Sequence, residues 1–190
     1  MSGFEVITLT FSFILGLGVA QILSAVSSSI RERKERRLHW MPFCVAAVSF
    51  LMHVQFWFAL VQADQLFEQW TWPSYLVLLS LAVILFLSGG VVLPVGENTG
   101  SGDLLDDFEQ RGSVSLLLLA GYAMAWIPAL IWFIGPEAAE TALFNLIWAA
   151  PAVTAYFVSS KRVRAMAVLA LMVLTVYGLF GAWATPLMLE

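Results

Sequence analysis

The chain contains two histidines, His39 and His53, and they are where its chemistry would start. Imidazole is the side chain that ordinarily titrates near neutral pH, and it is a frequent metal ligand. Ser49, His53 and Trp57 are spaced four residues apart, so on a helix they share one face. Gln55 and Gln62, one heptad apart, lie on roughly the opposite face. The surrounding sequence is apolar, and an ionisable group in lipid is costly unless it faces protein or water. Two environments fit His53. One is a polar cavity opening toward the outer side, with Ser49 and Trp57 on the same wall and Tyr122 brought in from another helix. The other is a neutral ring hydrogen-bonded to a Ser, a Thr or a carbonyl on a neighbouring helix. His39 and His53 also lie on nearly the same helix face, about 21 Å apart along the axis. Di-haem membrane cytochromes use similar spacing on a pair of helices. This chain offers one such helix, so haem would need a dimer to supply the other side.

Other chemistry is hard to find. The sequence has no HExxH, no GxSxG, no Ser/Lys dyad in an apolar run and no Gly-rich phosphate loop. No Asp or Glu lies in the middle of an apolar run, which argues against proton- or sodium-coupled transport. No Arg ladder suggests a voltage sensor. Cys44 is the single cysteine, so neither an internal disulfide nor a Cys-based metal site is expected. Asp103, Asp106 and Asp107 could share a face and hold a hard cation. The alternating oxygen ligands and central Gly of an EF-hand are missing. No catalytic residue, metal or cofactor is expected, and the chain does not read as an enzyme.

These residues sit in a membrane protein. The chain of 190 residues is 61% hydrophobic and 12% charged, with a mean hydropathy of +0.87. Soluble domains are about 45–50% apolar and about 25% charged. The apolar runs are continuous and about twenty residues long, the length of a spanning helix rather than a barrel strand. The expected fold is an all-α bundle of six transmembrane helices in one membrane domain, 1–190. The spans are expected at about 4–26, 39–61, 73–93, 113–134, 141–158 and 165–187. The first is expected to be retained, because its basic cluster follows the apolar run instead of preceding it.

Charge orients the bundle. All nine Lys and Arg fall in three segments, 31–37, Arg111 and 161–164, each in a loop on the same side. Basic loops stay in the cytoplasm, so both termini are expected in the periplasm. Counting Asp and Glu as well, the three loops carry +3, −4 and +3. The acidic loop is therefore expected to pair with its neighbours. The outer side carries Glu5, Asp64, Glu68, Glu137, Glu140 and Glu190 and no basic residue. The pairs Arg31 with Glu35 and Glu32 with Arg36 are expected to extend the first helix past the membrane. Trp70, Trp72, Pro73 and Tyr75 mark an outer interface, and His39 and Trp40 an inner one. The basic run lacks aromatic interleaving, and no nucleic-acid partner is expected.

Three packing features stand out. Ser12, Gly16, Ala20 and Ser24 form a small-residue ribbon at four-residue steps, able to seat another backbone within the chain or on a second copy. Pro128 and Pro151 fall inside the fourth and fifth spans and should kink them. Leu104, Leu105 and Phe108 form the apolar side of a short amphipathic helix, expected to lie on the membrane surface.

The opening Phe4-Glu5, then 11–18 (FSFILGLG), the basic patch, His39-Trp40 and Gln55-Phe56-Trp57 resemble a group of small bacterial polytopic membrane proteins with no assigned activity. The resemblance covers about the first third of the chain. It implies a bacterial inner membrane and carries no site. The leading expectation is a non-enzymatic permeation or transport protein for a small solute or ion; the alternative is a sensor or accessory subunit acting through protein contacts, and a haem-binding electron-transfer subunit is a remote one. The expected partners are the lipid bilayer and either a second copy or another membrane protein.

Overall fold

The computed structural model describes residues 3–66, 71–93 and 103–183. The side chains of Glu5 and Gln62, and residues Trp70, Glu97 and 184–187, lie outside the described residues. Everything described is helix or connection. The helices are α1 (Gly3–Arg31), α2 (Trp40–Leu66), α3 (Trp72–Val91), α4 (Leu104–Asp107), α5 (Val114–Phe133), α6 (Ala139–Phe157) and α7 (Lys161–Trp183). Among the described residues, α1, α2, α3, α5 and α7 are long and apolar enough to cross a bilayer. They mark a multi-pass membrane protein. The fifth expected span, α6, is not among them, because Glu140, Thr141, Asn145, Pro151 and Thr154 dilute its apolar content.

The helices close a ring. α1 packs on α3 and α2, α3 on α5, α5 on α6, α6 on α7, and α7 on α2. Local chemistry sets the ends. The Thr71 hydroxyl accepts the Ser74 N–H at 3.4 Å, and Pro73 occupies the first turn of α3, where its missing donor costs nothing. α1 ends at Arg31 and passes into a 3-10 turn, Glu32–Lys34. Gly135, with φ +96°, turns the chain between α5 and α6. Pro128 and Pro151 do lie within α5 and α6. Each deletes the N–H that would bond the carbonyl four residues back.

Where α6 meets α7, the Trp148 indole N–H donates to Thr175 Oγ1 at 2.9 Å, and that hydroxyl donates to Leu171 O at 2.8 Å. Both side chains are buried, so the indole is satisfied where water cannot reach it.

One expectation is corrected. Leu104, Leu105 and Phe108 do not lie on the membrane surface; all three are buried in the bundle core. Asp103 caps this segment by accepting the Leu105 N–H at 3.1 Å, and the Leu104 N–H bonds the Arg37 carbonyl at 3.2 Å. A wide turn follows, in which Ser113 N–H reaches back five residues to Phe108 O. Gly112 lies so close to α3 that a Cβ there would sit 2.7 Å from Val92 O. The physical reason is that the basic end of the bundle leaves interhelical space that these apolar side chains fill. Flanking carboxylates are meanwhile drawn to the arginines. The segment is a plug.

The expected pairing of the loops is present. Arg36 donates to Asp107 Oδ2 at 2.8 Å and lies 3.8 Å from Glu32, while Arg164 pairs with Glu109 at 2.5 Å. The acidic loop thus grips a basic residue on each side. Arg164 also donates to Ala155 O at 3.1 Å and Val158 O at 2.8 Å, carbonyls at the end of α6. A cation suits that end of a helix.

Candidate functional site

The polar centre of the bundle lies where α1, α2 and α3 meet. His53 is 1% exposed, and its Nδ1 lies 2.8 Å from the Ser49 carbonyl. A carbonyl only accepts, so Nδ1 carries the hydrogen, and in the neutral ring Nε2 is then a bare acceptor. The partner is thus a carbonyl one turn back on α2 itself, not one on a neighbouring helix. Ser88 Oγ donates to Leu85 O at 2.7 Å, which uses its single hydrogen. The 3.0 Å contact between Ser49 Oγ and Ser88 Oγ therefore runs from Ser49 to Ser88. Every hydrogen in this chain of bonds ends on a protein acceptor. The hydroxyls join α2 to α3, and neither lies on a nitrogen of the ring.

One glycine admits the imidazole, and a second seats Ile22 beside it. A Cβ built on Gly18 of α1 would lie 2.3 Å from His53 Nε2 and 2.8 Å from Cδ2. One built on Gly89 of α3 would lie 2.9 Å from Ile22 and 3.4 Å from His53 Cε1. Nε2 is buried without a hydrogen-bond partner among the described residues. It faces the α1 backbone.

The expected wall divides. Ser49 and His53 turn inward together, but Trp57 is 53% exposed and faces outward from α2. Tyr122 is buried on α5 in an aromatic layer. Its ring centre lies 6.3 Å from Phe56 and 6.2 Å from Trp126, and Phe56 lies 6.1 Å from Phe11, which meets Tyr75 at 5.7 Å. Phe56 lies about one turn beyond His53, toward the C-terminal end of α2. Aromatic side chains thus fill the layer next to His53 toward the C-terminal end of α2.

The haem reading meets the same obstacle, since the α1 backbone occupies the space an iron would need at Nε2. His39 lies before α2, where its Nδ1 accepts the Met41 N–H at 3.3 Å. The three aspartates also separate. Asp103 caps, Asp107 binds Arg36 and Asp106 is exposed. No group of three or more His, Cys, Asp or Glu suited to a metal occurs among the described residues.

The ribbon on α1 faces away from the rest of the chain. Gly16, Ala20 and Ser24 are exposed and Ser12 is half-buried. Nothing lies within 4 Å of where a Gly16 Cβ would be. The buried face of α1 is instead Phe11, Leu15, Gly18, Ile22, Ala25 and Ser29. The cradle at Gly18 was missed in the sequence because Gly18 lies off the ribbon, and its signal is only a glycine on the helix face opposite it. Set against known proteins, the chain matches no family model, no curated protein and no solved structure.

Proposed function

We propose that this protein is a non-enzymatic accessory or sensor subunit of the membrane, working through helix contacts that the outer face of α1 makes with a second copy of the chain. The observation that carries this reading is the exposed ribbon Gly16, Ala20 and Ser24. Packing is the main force between helices in lipid, and small residues let two backbones approach. By contrast, the outer face of α7 presents Met166, Leu169, Val173, Tyr177 and Phe180, bulk that suits acyl chains. The permeation reading depended on a cavity at His53, and the aromatic layer and the α1 backbone argue against one there.

Gly16→Leu tests the ribbon against Gly121→Leu on α5. Both glycines are exposed, and each has open space where a side chain would begin, so both variants should fold. We expect Gly16→Leu to lower self-association in bilayers at least tenfold, as read by energy transfer between labelled copies, and Gly121→Leu to leave it unchanged. Equal association of both variants with the parent would put the ribbon against lipid and end this reading.

The same reading has six crossings, with both termini in the periplasm of a bacterial inner membrane. Its support is the Arg164 network, which brings the start of α5, the end of α6 and the start of α7 to one level. α6 must then return across the layer, and its 19 residues span about 28 Å. In a Cys44→Ser background, Ser2→Cys and Leu189→Cys should both react with an impermeant thiol reagent in intact spheroplasts. Protection of either one contradicts this topology.

A further inference from the structure

The basic end of the bundle spends its acidic loop on two arginines. Asp107 takes Arg36 and Glu109 takes Arg164. Arg31, Arg33, Lys34 and Arg37 are exposed, and they form no ion pair among the described residues. The 3-10 turn explains the sorting. Its bonds from Glu35 N–H and Arg36 N–H to Glu32 O fold the chain sharply. Arg36 is tucked under the turn and its basic neighbours project outward. They surround an open cleft of about 640 Å³ lined by Arg33, Lys34, Glu35, Arg36, Arg37 and Leu38. Ile30, Leu38 and Trp40 are exposed beside it, at the edge of the apolar spans.

We propose that this cleft binds the headgroup of an anionic phospholipid in the adjoining leaflet. The occupant must offer negative charge to several cations and an apolar chain to Ile30, Leu38 and Trp40. A phospholipid has both parts at the right depth, and soluble phosphate has only the first. Guanidinium groups bind phosphate oxygens in pairs, and a cation touching an anionic headgroup strengthens its binding about fivefold, far more than one acting across screened solvent from outside the cleft. The site is specific to the 31–38 turn. Lys161 and Arg162, exposed at the start of α7 on the same side, contribute only the general field.

The test is native mass spectrometry of the protein in neutral detergent, titrated with phosphatidylglycerol or with phosphatidylcholine of the same chains. We expect the parent to prefer phosphatidylglycerol. The exposed triple variant Arg33→Gln/Lys34→Gln/Arg37→Gln should bind it roughly 100-fold more weakly. Lys161→Gln/Arg162→Gln should lose less than about threefold. Four results would overturn the site: equal affinity for the two lipids, a triple variant that binds like the parent, a loss per cation that is the same in both variants, or displacement of phosphatidylglycerol by millimolar inorganic phosphate.

Discussion

Gly18→Ala is expected to destabilise the folded protein by about 3 kcal/mol, the upper range for forcing bulk into a packed core. The sign is what makes the measurement informative. Alanine normally stabilises a helix interior by about 0.5–1 kcal/mol over glycine. At Gly18 the new methyl would land 2.3 Å from His53 Nε2, and the ring cannot move aside. It is held by its bond to Ser49 O and is 1% exposed among the packed helices. Gly121→Ala, with open space around it, should show the ordinary gain. The cost at Gly18 should fall below about 1 kcal/mol in a His53→Ala background, where the clash has no partner. Reversible unfolding in mixed micelles measures the parent and the four variants. Strictly additive costs of Gly18→Ala and His53→Ala would show that ring and glycine do not meet.

Arg36→Gln is the second large effect, a loss of about 3 kcal/mol, and it follows from burial. The Arg36 side chain is 5% exposed, and its guanidinium faces Asp107 at 2.8 Å and Glu32 at 3.8 Å. Removing it leaves two half-buried carboxylates, Asp107 at 21% and Glu32 at 32% exposed, without that counter-charge and frees one end of the plug. Arg37→Gln, one residue on and exposed, should change stability by less than about 0.5 kcal/mol. The contrast should persist in about 0.5 M salt, because a buried pair is screened far less than a surface one. Thermal melting gives the stability, and amide exchange over 103–112 should accelerate in Arg36→Gln alone. Matching curves for the two variants would make Arg36 an ordinary surface arginine and remove the plug's latch.

The sequence by itself determined the helices of this membrane protein and which loops share a side. Helix length is set by bilayer thickness, and each apolar run is readable without knowing its neighbours. Pairing of the acidic loop with the basic ones was legible for a similar reason, since charge acts over distance and the loops alternate in sign. The tertiary structure alone decided which side of each helix faces protein. In lipid both sides of a helix are apolar, so periodicity says little about burial. Thus Gly16 and Gly18, two residues apart, were indistinguishable as letters. One turns out to face open space and the other to seat an imidazole. Ser49 and Trp57 were equally placed beside His53 by spacing, yet only neighbouring helices could turn one inward and the other out. Leu104, Leu105 and Phe108 satisfy the pattern of a surface helix and of a plug alike. The space left at the end of the bundle, and the arginines beside it, drew them in.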